Sequence, residues 1–539
     1  MILRHARLLP SLLAAVCAAQ NLTPPPDARA KVDKIFARFA GTTGPGCATG
    51  VSLGGSQVLA TAYGMADLEH KVAITPQTVF EPGSITKQFT AAAVLLLAQQ
   101  GKLSLDDPAR KYIPELPDYG APITIRQLLN HTSGLRDWGN VAAIGGWPRT
   151  TREYTHAHVL EIIGRQKSLN YPPGAEYSYT NSGFNLLAIL VGRVANRPLP
   201  EFTREQIFMP LGMASTEWRD DFRRIVPNRA IAYSSNSGVF RQDMPFEDVF
   251  GNGGLLTTVG DLLRWNQNFT TMKVGGRSFF DSQHERGRLN DGRTIAYAAG
   301  LMVLHWKGRD EVSHSGSTAG YSAWLGRYPD QKLSVAVLCN LAGVNATQLG
   351  HQVAEAYLGA LTPDPLPPVT VDPASLAAKA GLYCSVRDHQ TLTLELQNGQ
   401  LHLERRGLLR PVWANTFASD DEGPLVEFSG ARMRLRTEGD EGNWYEKVDR
   451  ANPTPAELAA LAGEYASDEA EAAFQVVLEN GRLVIHRRPD ARFPLIPTYR
   501  DGFSSQLGSI RFLRDARGQV TELSLGEPRV WDLRFRKLR

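Results

Sequence analysis

Cysteine is scarce in this sequence, with four residues among 539. So low a content excludes a small scaffold built on disulfide bridges. The cysteines lack the paired spacing of zinc ligands and the 12 histidines form no HExxH motif, so we predict neither a metal nor another cofactor. Loss of an N-terminal segment with Cys17 would leave Cys47, Cys339 and Cys384. An odd number allows at most one bridge, and burial of all three as small apolar side chains is an open alternative.

Charge of one sign is not in excess either. The chain has 58 basic and 55 acidic side chains, which gives a net charge of +3. This balance excludes the basic surface expected of a protein that binds nucleic acid or an anionic membrane. A small molecule or a peptide is therefore the expected partner, and the oligomeric state stays open.

Long apolar runs are confined to the N-terminus. Residues 1–19 combine basic side chains with the run "LLPSLLAAVCAA" and small residues near Ala19, which is typical of a cleaved signal peptide. No later segment approaches the roughly 18 apolar residues of a membrane-spanning helix, so none is expected in the mature chain. We predict export to the periplasm or the extracellular space. A lipoprotein anchored at Cys17 is a less favoured alternative, because "AAVC" fits a lipobox poorly.

Five strand-like runs predict one α+β domain over residues 26–362. The runs "GCATGVSL" and "SQVLATAYG" meet at Gly54 and Gly55 as a hairpin, and "EVSHSGS", "YSAWLGRYP" and "KLSVAVLCN" follow a long helical region. This order predicts an antiparallel five-stranded sheet layered by helices. If an early and a late strand pair antiparallel, Cys47 and Cys339 can meet in a disulfide.

A proline-rich linker, residues 363–374, precedes two regions of short alternating strands, residues 375–449 and 455–539. Positions of the first region recur 82 residues later in the second: Pro373 and Pro455, Leu376 and Leu458, Gly381 and Gly463, Tyr383 and Tyr465, Asn398 and Asn480, Gly399 and Gly481, Leu401 and Leu483. One constant offset predicts two copies of an all-β, barrel-like module.

The stretch "EPGSITKQFTAAAVLLLAQQ" places Ser84 and Lys87 one turn apart at the start of an apolar helix. Exposed N–H groups and the positive end of the helix dipole favour negative charge that develops on Ser84 or on a carbonyl beside it. Among apolar neighbours the pKa of Lys87 would fall, as a general base requires. The spacing also arises about once by chance in a chain of this length, usually as a helix cap with a solvated lysine.

A second segment, "YSYTNSGFNLLAILV", places Tyr179 and Asn181 two residues apart before a buried helix. Such residues face the same side of a loop, so both can enter one cleft. The phenol, held as a phenolate by cationic neighbours, would relay a proton, and the carboxamide would hold a substrate carbonyl. The alternative is an ordinary loop before a helix capped by Ser182.

A third segment, "EVSHSGSTAG", carries His314, Ser315 and Gly316 on a strand that leads into small residues. Small residues let a ligand approach the backbone, where the N–H of Ser317 can donate to an oxyanion. A surface histidine on a strand is the alternative.

Together the three segments resemble the serine β-lactamase and penicillin-binding-protein superfamily. The closest branch is the class C-like one, with its D-alanyl-D-alanine carboxypeptidases, D-aminopeptidases, esterases and class C β-lactamases. The resemblance covers roughly residues 28–361 and includes "PGCATGVSL", "TIRQLLNHTSGL", "FMPLGM" and "GNGGLLTTVGDLLRW". It implies a serine hydrolase that forms an acyl-enzyme with amide or ester substrates, such as D-amino-acid peptides or small esters.

The resemblance also implies roles for single residues. Ser84 would be the nucleophile, Lys87 and Tyr179 would share acid and base work, and Asn181 would hold the substrate amide. His314 would set the field around the leaving group or a bound carboxylate. The oxyanion hole would consist of the backbone N–H groups of Ser84 and Ser317, with Gly251–Gly254 lining the site and His131 structural.

One departure from the family pattern bears on activity. Class C β-lactamases usually carry Lys-Thr-Gly in the third segment, whereas this chain has His-Ser-Gly at residues 314–316. His-x-Gly resembles the peptidase and esterase members, so β-lactamase activity is the second hypothesis. A third, ranked lower because no catalytic residue is missing, is an exported protein that binds ligands or cell wall without catalysis.

Overall fold

The computed structural model describes residues 22–149, 151–359, 369, 371–419, 424–437 and 440–538. The predicted signal peptide and residues 363–368 and 370 of the predicted linker lie outside the described residues. None of the helices in the described part combines the length and apolarity needed to cross a bilayer.

Most helices precede the two C-terminal modules. The α-helices are α1 (Ala28–Ile35), α2 (Lys87–Gln99), α3 (Ile125–Leu129), α4 (Trp138–Ile144), α5 (His156–Gly164), α6 (Asn181–Ala195), α7 (Leu199–Thr203), α8 (Met209–Leu211), α9 (Val259–Thr271), α10 (Gly276–His284), α11 (Ala346–Leu358), α12 (Pro373–Lys379) and α13 (Pro455–Leu461). Short 3₁₀ turns cover Ala37–Phe39, Gly83–Thr86 and Ala109–Lys111, and a π turn covers Arg204–Phe208.

The first region contains a central antiparallel sheet and three two-stranded pairs. Its strands are β1 (Cys47–Leu53), β2 (Ser56–Tyr63), β3 (Met65–Asp67), β4 (Val72–Ala73), β5 (Glu217–Trp218), β6 (Tyr233–Asn236), β7 (Val239–Gln242), β8 (Leu255–Leu256), β9 (Met302–Trp306), β10 (Arg309–Thr318), β11 (Tyr321–Tyr328) and β12 (Leu333–Cys339). The central sheet has the order β2-β1-β12-β11-β10-β9. The predicted fold class is confirmed, with six strands instead of five. The added strand, β9, is half-exposed over most of its length and lacks the alternation that marks a strand in sequence.

Both faces of the central sheet pack against helices. Because successive residues of a strand point to opposite sides of the sheet, alternate residues of one strand contact different layers. In β12, Val335 and Val337 pack in a cluster with α1 and α11, whereas Ala336 and Leu338 pack in the larger cluster with α2 and α9. Helices therefore cover the sheet on each side, as predicted.

The antiparallel register of β1 and β12 places Cys47 opposite Cys339, and a disulfide joins them. The hypothesis of a bridge between these two strands is confirmed. Cys384 is a buried free thiol.

The C-terminal part forms two nine-stranded sheets. The first holds β13 (Gly381–Ser385), β14 (Thr391–Gln397), β15 (Gln400–Leu403), β16 (Gly407–Leu408), β17 (Arg410–Trp413), β18 (Thr416–Ala418), β19 (Leu425–Ser429), β20 (Arg432–Thr437) and β21 (Asp440–Val448). The second holds β22 (Gly463–Ser467), β23 (Ala472–Glu479), β24 (Arg482–Arg487), β25 (Ala491–Pro494), β26 (Ile496–Pro497), β27 (Gly502–Ser505), β28 (Gly508–Arg514), β29 (Val520–Glu527) and β30 (Val530–Lys537).

The two sheets share one strand order, β16-β15-β14-β13-β21-β20-β19-β18-β17 and β25-β24-β23-β22-β30-β29-β28-β27-β26. In each, the two edge strands are adjacent along the chain, so the sheet curls until its edges approach each other. Two barrel-like modules result, as predicted.

The 82-residue repeat has the same structural role in both modules. The hydroxyl of Tyr383 donates to the carbonyl of Lys379 at 2.8 Å, and the hydroxyl of Tyr465 donates to the carbonyl of Leu461 at 2.7 Å. Helices α12 and α13 begin at the equivalent prolines, which places the start of α12 inside the predicted linker. Duplication of one module therefore explains the repeat.

Candidate active site

Ser84 lies in the 3₁₀ turn that leads into α2, and β10 crosses this turn closely. A Cβ atom on Gly316 would lie 1.9 Å from the carbonyl oxygen of Pro82, and one on Gly83 would lie 2.5 Å from the backbone nitrogen of Ser317. Gly83 also has a φ of +54°, which favours glycine. Glycine at both positions therefore lets the strand lie against the nucleophile turn.

Lys87 is fully buried, on the first turn of α2. Its Nζ lies 3.0 Å from Oγ of Ser84, 3.0 Å from Oδ1 of Asn181 and 2.8 Å from the carbonyl oxygen of Asn252. Burial lowers the pKa of Lys87 well below its usual value. The positive charges of Arg529 and Arg149 act in the same direction, and the negative charge of Asp137 acts in the opposite one. The structure thus favours the neutral amine.

The three contacts orient that amine. The two carbonyl oxygens, of Asn181 and Asn252, can only accept, so they take the two hydrogens of a neutral amine. Its lone pair then faces Ser84, whose hydroxyl can donate to it. The geometry is that of a base ready to accept the serine proton.

Tyr179 is half-buried beside this pair, and its ring lies 4.8 Å from Nζ of Lys87. Burial raises the pKa of Tyr179, whereas a hydrogen bond with Ser84 and the charge of Arg529 act in the opposite direction. The expected phenolate is therefore not the favoured resting form. Since burial moves the pKa values of Lys87 and Tyr179 apart, the lysine suits the role of base and the phenol that of acid.

Asn181 is the first residue of α6, and its backbone N–H donates to Oδ2 of Asp137 at 2.7 Å. Asp137 also caps α4 by accepting from the N–H groups of Gly139 and Asn140. One buried carboxylate therefore holds the starts of α4 and α6 together and fixes the carboxamide beside Lys87.

His314, on β10, has protein partners on both ring nitrogens. Nε2 lies 3.0 Å from the hydroxyl of Tyr297, and Nδ1 lies 2.5 Å from the carbonyl oxygen of Ser315. Burial lowers the pKa of His314 to about 4, and Lys87 in its protonated form would act in the same direction. The neutral ring therefore donates from Nδ1 to Ser315 and accepts from Tyr297, and it carries no positive charge toward a bound carboxylate at neutral pH.

A cavity of about 610 Å³ opens at this place. Seven of the eight predicted site residues line it, namely Ser84, Tyr179, Asn181, His314, Ser315, Gly316 and Ser317. The eighth, Lys87, lies behind the cavity wall. Asn252 and Gly253 of the glycine-rich stretch also line it. The structure thus brings the three sequence segments into one cleft.

Four further residues of the site escaped the sequence analysis in whole or in part. Arg149 and Arg529 line the cavity, and Tyr297 holds His314. The ring of His131 lies 4.3 Å from that of Tyr179, while its Nδ1 accepts from the N–H of Thr180 at 3.3 Å. His131 was predicted to be structural, and its contacts show that it supports Tyr179 directly. Neither arginine carries a local motif that would have revealed it.

Metal-binding potential lies away from the lining of this cavity. Among the described residues, Asp67, Glu69 and His70 bring three possible ligand atoms within 4.8 Å of one another. They lie at the end of β3 and in the turn after it, and Nδ1 of His70 pairs with Asp67 at 2.7 Å. None of the three lines the cleft.

Comparisons with known proteins identify similar sequences and structures. The profile of the family described as Beta-lactamase matches residues 32–358. The D-aminopeptidase of Brucella anthropi is 25% identical over 511 residues, which cover 90% of this chain and 93% of that protein. A structure of an octameric penicillin-binding protein homologue from Pyrococcus abyssi aligns with a TM-score of 0.56 at 22% identity and covers 78% of this chain and 99% of its own.

A D-amino acid amidase from Ochrobactrum anthropi SV3, solved with D-phenylalanine, aligns with a TM-score of 0.54 at 21% identity. The match covers 62% of this chain and 100% of that one. At such low identity the two solved structures establish the fold alone.

Proposed function

The chain belongs to the beta-lactamase family and is a serine hydrolase, and from this premise we propose that it hydrolyses amide bonds of D-amino-acid amides or peptides. Two facts support this substrate class: the full-length similarity to a D-aminopeptidase and the His-Ser-Gly of the third segment in place of Lys-Thr-Gly. Small esters are the alternative acyl donors for the same site.

The contact between Lys87 and Ser84 carries the mechanism. Oγ of Ser84 attacks the substrate carbonyl carbon while its proton passes to Nζ of Lys87, 3.0 Å away. The backbone N–H groups of Ser84 and Ser317 stabilise the negative charge that develops on the carbonyl oxygen. The C–N bond then breaks, and the departing nitrogen takes a proton from Tyr179 or Lys87. An ester links the acyl group to Ser84, and water hydrolyses it with proton transfer in the reverse sense.

His314 is a positioning residue in this proposal. Its ring bridges Tyr297 and the Ser315 carbonyl, and so it supports the strand that supplies the Ser317 N–H. Asn181 orients Lys87 through Oδ1, which leaves its amide hydrogens for the substrate carbonyl.

Export to the periplasm or the extracellular space remains part of the proposal. The Cys47–Cys339 disulfide supports it, because such bridges persist in oxidising compartments and are rare in the cytosol.

The test combines active-site labelling with a substrate panel. A fluorophosphonate should label wild type and Ser237→Ala, a variant of an exposed serine, but not Ser84→Ala. D-Alanine p-nitroanilide should be hydrolysed faster than its L-enantiomer, p-nitrophenyl butyrate tests ester hydrolysis, and nitrocefin tests the β-lactamase hypothesis. Labelling that persists in Ser84→Ala, or preference for the L-enantiomer, contradicts the proposal.

A further inference from the structure

The charged residues that line the catalytic cavity have one sign. Arg149 and Arg529 line it, and no aspartate or glutamate is among the described lining residues. A substrate with a free ammonium group therefore meets no carboxylate on the cavity wall, whereas a substrate with an anionic group meets two guanidinium groups.

The two arginines differ in how closely a carboxylate of the protein pairs with their positive charge. Arg149 binds both carboxylate oxygens of the buried Glu247, with Nε 2.9 Å from Oε2. That bidentate pair satisfies its charge within the protein.

Arg529 has a weaker carboxylate partner. Its Nη1 lies 3.8 Å from Oδ2 of Asp137, beyond hydrogen-bond distance, and that carboxylate already accepts from three backbone N–H groups. The arginine side chain is 39% exposed, and its guanidinium lies 4.9 Å from the centre of the Tyr179 ring. In the described structure, its donors thus remain available at the cavity.

The backbone around Arg529 is fixed against the catalytic region. Arg529 lies in the turn between β29 and β30 of the second module. Its carbonyl oxygen accepts from the N–H of Asp137 at 3.2 Å and from Nδ2 of Asn170 at 3.0 Å. The N–H of Trp531 donates to Oδ1 of Asn170 at 3.0 Å.

A buried ion pair holds the same module nearby. Nη1 of Arg136 lies 2.6 Å from Glu469, and Nη2 donates to the carbonyl of Asp532 at 2.6 Å. The turn with Arg529 is thus a rigid part of the cavity wall, as a residue that sets specificity requires.

We infer that Arg529, supplied by the second C-terminal module, selects substrates that carry a carboxylate near the scissile amide. This inference rests on the proposed function and narrows its substrates to anionic D-peptides and acylated D-amino acids, at the expense of D-amino-acid amides with a free ammonium group. The module therefore contributes directly to substrate recognition.

The test compares pairs of substrates in which one member carries a carboxylate that the other lacks. One pair is N-acetyl-D-alanyl-D-alanine and its C-terminal amide, which places the charge on the leaving side. The other is N-succinyl- and N-acetyl-D-alanine p-nitroanilide, which places it on the acyl side. For at least one pair, wild type should favour the anionic member in kcat/KM, on the order of 10- to 100-fold, as expected for a hydrogen bond between charged groups.

Variants then assign the preference to Arg529. Arg529→Gln should remove most of it, Arg529→Lys should keep part of it, and Arg529→Glu should shift preference toward D-alanine p-nitroanilide, whose ammonium is free. Arg517→Gln removes an exposed charge from the same module and should keep the wild-type ratio. Because each ratio is internal to one variant, partial loss of folded enzyme does not change it.

Two outcomes overturn the inference while the proposed function stands: wild type that hydrolyses neutral and anionic members equally, or a preference for anions that persists in Arg529→Gln. In either case Arg529 acts only as a structural contact or through the protonation of Lys87 and Tyr179. Absence of any turnover that depends on Ser84 would instead contradict the proposed function itself.

Discussion

Nζ of Lys87 lies 3.0 Å from Oδ1 of Asn181, a residue on a different helix. The carboxamide is neutral, so it accepts a hydrogen from the amine without stabilising the ammonium as a carboxylate would. A neutral partner therefore leaves intact the lowering of the Lys87 pKa that burial causes.

Replacement of this carboxamide by a carboxylate should move the pH profile. In Asn181→Asp, a negative charge beside Nζ stabilises the ammonium and raises the pKa of Lys87. Because the neutral amine is the base, the acid limb of the kcat/KM profile should move to higher pH. Asn181→Leu removes the contact without adding charge and should lower kcat/KM without that alkaline shift. An unchanged limb in Asn181→Asp would contradict the role of Lys87 as base.

Replacement of the lysine itself should remove the base. Arginine stays protonated at all accessible pH values, and methionine cannot accept the proton. Lys87→Arg and Lys87→Met should therefore both lose on the order of 10²- to 10⁴-fold in the rate of acylation, the usual contribution of a general base. Lys102→Met, at an exposed position after α2, is the control. Single-turnover labelling of Ser84 measures the rate, and retained acylation in Lys87→Arg would show that another group takes the proton.

Removal of the disulfide should destabilise the first region. Cys47→Ala with Cys339→Ala should lower the free energy of unfolding by about 2–5 kcal/mol, the usual cost of losing a native bridge. Cys384→Ala, which changes a buried free thiol, serves as the control for loss of a cysteine. Thermal unfolding with and without reductant gives the measurement. Reductant should lower the Tm of wild type and Cys384→Ala but leave the double variant unchanged, and an unaffected wild type would contradict the prediction.

Acid should destabilise the fold partly through His284. Burial lowers the pKa of His284 to about 3, and the adjacent Arg327 acts in the same direction. Between the ordinary histidine pKa of about 6.5 and about 3, the unfolded chain binds a proton that the folded chain does not. Stability is therefore lost as pH falls through this range, by at most about 1.4 kcal/mol per pH unit from this residue.

The variant His284→Asn isolates this effect. Its free energy of unfolding should fall less steeply than that of wild type between pH 6 and pH 4. Ser237→Ala, which changes an exposed side chain that does not titrate, should keep the wild-type slope. His314, whose pKa burial lowers to about 4, contributes with the same sign, so His284→Asn should flatten the slope only in part. Denaturant titrations at each pH measure the slope, and equal slopes for His284→Asn and wild type would exclude the effect.

Local sequence signals predicted much of this molecule. The hairpin at Gly54 and Gly55, the strands before and after the helical region, and the duplicated modules follow from alternation and from turn residues that act within a few positions. The three segments around Ser84, Tyr179 and His314 were predicted to share a cleft, and they line one cavity. Their chemistry is carried by short motifs, which a single sequence displays.

The remainder depends on distant packing. Arg529 reaches the cavity only because a turn of the second module docks on Asp137 and Asn170, which no local pattern records. Tyr297 lies in a stretch with no regular periodicity, and its role is visible only through its contact with His314. The protonation state of Tyr179 was also mispredicted from sequence, because desolvation by distant segments outweighs the nearby positive charge.

The disulfide between Cys47 and Cys339 closes residues 47–339 into a covalent ring that contains the catalytic residues. Five site residues lie within this ring: Ser84, Lys87, Tyr179, Asn181 and His314. Both barrel-like modules follow it in the chain. A protease that cuts once anywhere within the ring leaves every one of these five side chains on a single covalently connected molecule. On a denaturing gel, such a cut would separate fragments only after the sample is reduced. The nicked enzyme would keep its catalytic residues on one covalent molecule.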